Sequence, residues 1–249
     1  MLMAERQEKI LRIIEKRGSV QASELADELH VSSMTIRRDL EKLDVCGAIN
    51  RCHGGAVSKH EVLYADKRIY NKEIKLQIAL ECSKYVKESD VVFLDAGTTT
   101  YQIADQISKV PDITVVTNDI EIIKRLMNSD VELIICGGKV QKSTGSIYGY
   151  YATQMLEQMR FNVGFFGTAA VDEHLNVMTP TTDKAFLKRI ALKKTQNSFL
   201  VSDLSKFKKT ALTYVNSLEE YDHIVTDYKF SKEERQNLQD AGTKVIQVK

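Results

Sequence analysis

The sequence predicts an α/β protein in two parts. An N-terminal winged helix-turn-helix covers residues 1–57, a mostly parallel α/β domain covers 71–249, and a connector over 58–70 joins them. Three observations carry this reading. The stretch from Val31 to Leu43 spaces its apolar residues helically and follows another short helical stretch across a tight turn. Beyond residue 71, six apolar runs of strand length alternate with helical stretches, the pattern of a parallel sheet covered on both faces. Each run ends in small or polar residues, at the edge where open α/β sheets bind ligands.

In chain order, residues 4–16 form a helix whose buried side is Ile10, Leu11, Ile13 and Ile14, stopped by Gly18. Ser19-Val20-Gln21 adds a short strand to the wing. Residues 22–29 form a helix with Leu25, Ala26 and Leu29 on its apolar side, and His30-Val31 turn into the next. There Ser32 or Ser33 caps the N-terminus, and Ile36, Leu40 and Leu43 make a narrow apolar stripe. Met34, Arg37, Arg38 and Glu41 fall on the opposite side. Two adjacent arginines there suit forked contacts with guanine edges and phosphates, and a second helix of this kind enters the major groove. The plain alternative is a solvated face on an ordinary helix. Candidate DNA contacts are Ser32, Ser33, Met34, Thr35, Arg37 and Arg38, with Arg51 and His53 reaching phosphate from a hairpin wing between Gly47 and Val57.

The connector is polar and mixed but lacks a flexible linker's Gly/Pro/Ser signature, so part of it is expected to be helical. From Asn71 an amphipathic helix carries Ile74, Ile78, Ala79, Cys82 and Val86 and ends near Ser89. Strands follow at 91–94, 113–116, 131–135, 162–166, 198–201 and 223–225, with helices through Ile107 and around Ile122, Ile123 and Leu126. The strand ends supply the candidate effector site: Asp95, Gly97, Thr98, Thr99 and Thr100; Thr117 and Asn118; Gly137, Gly138 and Lys139; and Lys206 after Asp203. Glycines let backbone N–H groups approach an anion, and a following helix N-terminus adds its dipole. Threonine hydroxyls donate there, while Lys139 and Lys206 neutralise phosphate.

Composition narrows the class. Of 249 residues, 43% are hydrophobic and 28% charged, which excludes disordered and collagen-like chains. No apolar run approaches the roughly 18 residues that span a bilayer, and the charged start lacks the apolar core of a signal peptide. A cytoplasmic protein is expected, with Cys46, Cys52, Cys82 and Cys136 as reduced thiols. Cys46, Cys52 and His53 lack the further ligands of a zinc site, so neither metal nor cofactor is expected. The net charge is +1, and residues 1–57 hold nine Lys/Arg and nine Asp/Glu. Affinity for DNA must therefore come from charge on one face. Linking two weak heads on a repeated operator gains effective concentration, which predicts a homo-oligomer, a dimer or tetramer.

Val31-Ser32-x-x-Thr35-Ile36-Arg37-Arg38-Asp39-Leu40-x-x-Leu43, followed by Arg51-x-His53-Gly54-Gly55-Ala56, resembles the DeoR-type bacterial transcriptional regulators. Asp95-x-Gly97-Thr98-Thr99, Thr117-Asn118, Gly137-Gly138, Asp203-x-Ser205-Lys206 and Thr226-Asp227 extend the resemblance over essentially the whole chain. It implies a repressor that binds operator DNA, and a sensor domain similar to ribose-5-phosphate isomerase that binds a phosphorylated sugar. The stretch from Phe165 to Thr179 resembles the lactose-type branch, which implies tagatose 6-phosphate. Two positions depart from the pattern. Asn176 stands where a turn glycine is expected after Asp172, and Lys184 where an acidic residue would accept sugar hydroxyls. A lysine there instead contacts phosphate or an acid group.

Two functional classes follow. One is a regulator, not an enzyme, released from its operator by a phosphorylated sugar. The other is a phosphosugar isomerase with a DNA-binding head, which needs a general base. Asp95, Asp183 and Asp203 are available for that role, yet their spacing forms no evident acid/base pair. A pure oligomerisation scaffold would leave the strand-end loops without a purpose.

Overall fold

A computed structural model describes residues 1–52, 54–58 and 64–249. In the head, α1 (Met3–Arg17) leads through β1 (Ser19–Gln21) to α2 (Ala22–Leu29) and α3 (Ser33–Val45), then the hairpin β2 (Ile49–Cys52) and β3 (Gly55–Ser58). The expected strand at Ser19 completes a three-stranded sheet of order β1-β3-β2. Gly18 ends α1 at φ 80°, and His30 makes the turn between α2 and α3 at φ 53°. The head has its own core, in which Ile10, Ile14, Leu25, Ile36, Leu40 and Ile49 are buried.

The connector contains a short helix, α4 (Tyr64–Ile69), and α5 (Lys72–Ser83) follows. That helix stops six residues before the expected end, because Lys84, Tyr85 and Val86 form tight turns back onto Glu81, Cys82 and Ser83. Val86 still packs into the core. Then come β4 (Val91–Leu94), α6 (Thr98–Ile107), β5 (Thr114–Thr117), α7 (Ile120–Leu126) and β6 (Glu132–Ile135). A small hairpin, β7 (Lys139–Gln141) and β8 (Ser146–Tyr148), precedes α8 (Tyr150–Glu157) and β9 (Phe161–Phe166). After β10 (Ala170–Val171) and β11 (Asn176–Thr179) the chain runs through α9 (Thr182–Lys193), β12 (Thr195–Val201) and β13 (Thr213–Ser217). It closes with β14 (His223–Thr226), α10 (Lys232–Asp240) and β15 (Lys244–Gln247).

The main sheet has seven strands in the order β15-β14-β12-β9-β4-β5-β6, and every pairing within it is parallel. Its five central strands are buried on both faces, and the edge strands β6 and β15 only in part. Helices α5, α6 and α7 pack against Val92, Leu94, Val115 and Phe165 on one side. Helices α8, α9 and α10 pack against Phe93, Val116, Phe166 and Leu200 on the other. A smaller antiparallel sheet, β10-β11-β13, sits beside it.

The expected left-handed turn near Asn176 falls one residue earlier, on Leu175 at φ 60°. Asn176 is the first residue of β11. Its backbone N–H and side-chain amide both donate to Asp172, at 2.8 and 2.9 Å, which closes the loop by an Asx-type turn instead of a left-handed asparagine.

Candidate functional site

On α3, Ser32 is the cap, its Oγ accepting the Thr35 N–H at 3.2 Å. The two hydroxyls also share a bond of 2.9 Å. Ser33, Met34, Arg37, Arg38 and Glu41 are exposed, while Ile36, Leu40 and Leu43 are buried, as the helical spacing requires. The buried face also holds a carboxylate that the apolar pattern gave no reason to expect. Asp39 is 2% exposed and takes bonds from Arg6 Nε at 2.5 Å and Gln7 Nε2 at 3.3 Å. It fixes α3 to α1 from within, so the arginine face is held rigidly outward. Arg51 on β2 is exposed; its N–H donates to Asp44 and its guanidinium to the Arg37 carbonyl. The wing therefore lies against the arginine-bearing helix. His53 lies outside the described residues.

The tips of β4, β5, β9 and β12 surround a cavity of about 350 Å³, within the usual range for small-ligand sites. Asp95, Gly97, Thr98, Thr99, Thr100, Asn118, Lys184 and Lys206 all line it. Thr117, Gly137, Gly138 and Lys139 lie outside its lining. Thr117 is buried, and its hydroxyl donates to the Leu94 carbonyl at 2.7 Å, so it bridges strands instead of facing a ligand. Gly137 to Lys139 follow the edge strand β6, and Lys139 begins the exposed hairpin β7. There Gly138 lies so close to the Tyr148 carbonyl that a Cβ would approach it to 2.4 Å. That glycine serves the hairpin.

Several lining residues come from outside the strand tips. Lys75, on α5, is 4% exposed and donates to the carbonyls of Lys67 and Tyr70 at 2.5 and 2.6 Å. It thus links the cavity wall to the end of α4. Burial lowers its ammonium to about 8, with Lys206 and Lys67 adding to the effect and Asp203 opposing it. Lys188 lies one helical turn beyond Lys184 on α9 and pairs with Asp95, which also accepts the Gly167 N–H at 3.0 Å. The four-residue interval between the lysines was the available signal. Asp203 accepts from Asn71 Nδ2 at 2.8 Å and from the Ser205 N–H at 3.0 Å. Burial pushes its carboxyl up, but the charge of Lys206 and these hydrogen bonds bring it below the usual carboxylate range.

At the start of α6, Gly97 provides no side-chain cap, so the first-turn N–H groups remain available to an anion. Asn118 is 2% exposed; its amide donates to Ile147 while its Oδ1 has no partner among the described residues. Gln141 Oε1 and Thr210 Oγ1, on two further lining residues, are likewise buried without partners among the described residues. Unmet polar atoms beside cations suit a hydroxylated anion. Arg17, Gly18 and Asn50 of the head also line the cavity, and the Gln21 side chain donates to the Lys208 carbonyl. The head forms part of the wall.

Two family profiles match the chain: the DeoR-like helix-turn-helix domain over residues 6–62 and the DeoR C terminal sensor domain over 70–228. The HTH-type transcriptional regulator GlpR of Haloferax volcanii is 35% identical over 250 residues, covering 99% of this chain and 98% of its own. The lactose phosphotransferase system repressor of Streptococcus mutans is 32% identical, covering 91% and 93%. Ribose 5-phosphate isomerase A from Methanocaldococcus jannaschii matches at TM-score 0.41 with 18% identity, over 56% of each chain.

Proposed function

As the chain belongs to the DeoR family of helix-turn-helix transcriptional regulators, we propose that it represses a sugar-uptake or sugar-catabolism operon and is released by a phosphorylated sugar. Met34, Arg37 and Arg38 read the major groove, with Ser32, Ser33, Thr35 and Arg51 placed for backbone contacts. In the cavity, the free end of α6 and the lysines take the phosphate, while Asn118 and Gln141 accept sugar hydroxyls.

The observation that carries this reading is the shared wall: Arg17 and Asn50 of the head line the same cavity as Thr98 and Lys206 of the sensor. A ligand filling it has different contacts in different head orientations, which is what coupling two sites requires. The carboxylates favour a regulator over an isomerase, since Asp95 is engaged by Lys188 and Gly167 and Asp203 by Asn71 and Ser205. Repression from a repeated operator further calls for a homo-oligomer. Mobility-shift titration on DNA flanking its own gene tests the proposal. Binding that a sugar phosphate reverses is expected, whereas turnover of that sugar phosphate by the purified protein would overturn it.

A further inference from the structure

The connector helix α4 is six residues long, too short to be stable in water by itself. Its order depends on what grips it. At its start the Tyr64 N–H donates to the Ser143 carbonyl at 3.0 Å, and the Tyr64 ring meets Tyr101 of α6 edge-on at 6.4 Å. Near its end the Arg68 guanidinium lies over the same Tyr101 ring, 5.1 Å from its centre. The last carbonyls of a helix have no partner within it. Here the Lys75 ammonium serves two carbonyls at that end, Lys67 at 2.5 Å and, just past the helix, Tyr70 at 2.6 Å. A cation at a helix C-terminus is further favoured by the dipole.

The same ammonium belongs to the cavity. Lys75 lines it, and Asp203 and Lys206, two further lining residues, are close enough to act on its charge. An ammonium has three donors, and among the described residues two are taken, both by the connector. One is left for whatever fills the cavity. Four residues earlier, Asn71 turns the chain from α4 into α5 with a left-handed backbone, φ 53°, and donates to Asp203 at 2.8 Å. The joint between connector and sensor is thus fastened from the cavity side.

We propose that Lys75 couples the cavity to the head. The effector's phosphate, seated at the start of α6, takes the third donor of the ammonium that holds α4, so that filling the cavity fixes the connector. A hydrogen bond between two charged groups is about twice as strong as a neutral one. A head on a fixed connector has fewer positions open to it, and two heads then meet a repeated operator less readily. This inference rests on the phosphosugar reading above and adds how the signal leaves the cavity.

Hydrogen exchange of the intact protein is followed over α4 with and without inorganic phosphate, ribose 5-phosphate, fructose 6-phosphate and tagatose 6-phosphate, each titrated by calorimetry. In the wild-type protein a bound sugar phosphate should slow exchange over α4 about tenfold. It should also weaken binding to DNA flanking the protein's own gene about fivefold or more, the usual scale of coupling. In Lys75→Met, with the same probe at saturation, α4 should exchange fast in both states and DNA affinity should change less than about twofold. Asn71→Gly keeps the left-handed backbone and the ammonium but loses the Asp203 bond, so its exchange should begin faster and still respond. A purely structural Lys75 would raise exchange in the variant and leave the response to the probe intact, which would overturn the inference. Wild-type exchange over α4 that a bound probe leaves unmoved would do the same, whether or not Lys75→Met folds, as would a response lost equally in Asn71→Gly. Each of these leaves the phosphosugar reading standing. Failure of every phosphorylated probe to bind would overturn both.

Discussion

The backbone N–H of Gly97 donates to Oδ2 of Asp119 at 2.9 Å, tying the loop after β4 to the helix cap after β5. The other oxygen of Asp119 accepts from Glu121 and Ile122 at 2.7 and 3.2 Å. One fully buried carboxylate therefore sets both the start of α7 and the entry to α6, where the effector's anion is proposed to sit. Asp119→Asn keeps the shape but turns an amide nitrogen toward one of these donors. Losing one such bond, about 1.4 kcal/mol, should weaken sugar phosphate binding about tenfold in calorimetry. An unchanged affinity would mean that Gly97 does not shape the anion site.

The same residue gives a pH dependence. Burial raises the Asp119 carboxyl from 3.8 to about 7, against the lowering effect of its backbone hydrogen bonds, with nearby Asp95 adding to the rise. The folded state then binds more protons than the unfolded chain between those values, so this group's contribution falls as pH rises from about 4 to about 7. Denaturant unfolding across that range should show a downward slope in stability that is shallower in Asp119→Asn. Equal slopes in the two proteins would refute the assignment.

Lys75 predicts a linkage of the same sign, in binding. Its ammonium stands at about 8 in the ligand-free cavity, and a bound anion favours the charged form. Binding then takes up a proton, so affinity should fall as pH rises from 7 to 9. The phosphate, with its second ionisation near 6, contributes no change of its own in that window. Lys75→Met should flatten the profile. Because Lys75 also holds the Lys67 and Tyr70 carbonyls at the end of α4, the variant should in addition cleave faster at the connector in limited proteolysis.

What the sequence disclosed follows its physics. The five central strands were readable because strands buried on both faces are nearly continuous apolar runs, and the edge strand β6 from its Leu133-Ile134-Ile135 run. β15 was not, since it is an edge strand with two partly buried residues between exposed ends. β10, β11 and β13 are short and owe their existence to one another, with a register shift between Val177 and Met178 that no local pattern encodes. The strand-tip rule located Asp95 to Thr100 and Asn118 but also drew in Gly137 to Lys139, because it cannot tell a central strand from an edge. Lys75 and Lys188 reach the cavity from helices, and Asp39 faces inward on a helix whose pattern marks only the apolar stripe.

Arg38→Ala and Arg37→Ala test the DNA face. Both side chains are exposed, so neither change should move the melting temperature by more than about one degree, in line with surface substitutions worth about 0.5 kcal/mol or less. A lost bidentate contact to a base costs about 1–3 kcal/mol, so operator affinity should fall by about tenfold or more, with sugar phosphate binding intact. Full operator affinity in both variants would remove α3 as the reading helix.

Asp39→Ala separates rigidity from contact. It removes the acceptor of Arg6 and Gln7 inside the head, and hydrogen bonds to charged groups are worth about 1.5–3 kcal/mol. The head's unfolding transition should drop by about 2 kcal/mol while the sensor's ligand-induced shift persists. Operator binding should recover on cooling, because no DNA contact has been deleted. A variant as stable as the parent would show that the Arg6 pair adds nothing to the head.

Gly55 offers the sharpest test of the wing. It pairs with Gln21 across β3 and β1, and a Cβ there would stand 2.0 Å from the Val20 carbonyl oxygen and 3.2 Å from the Gln21 Cα. Those atoms are backbone, so Gly55→Ala can be accommodated only by pushing β1 away from β3, at about 1–3 kcal/mol for such overpacking. Gln21 is also the residue before α2 and reaches the Lys208 carbonyl of the sensor, so its displacement disturbs the head's seat on the cavity wall. The variant should lower the head's melting temperature and operator affinity together and also alter how far sugar phosphate releases DNA, a step that Arg38→Ala leaves untouched. Wild-type stability and operator affinity in Gly55→Ala would mean that β1 does not belong to the wing sheet.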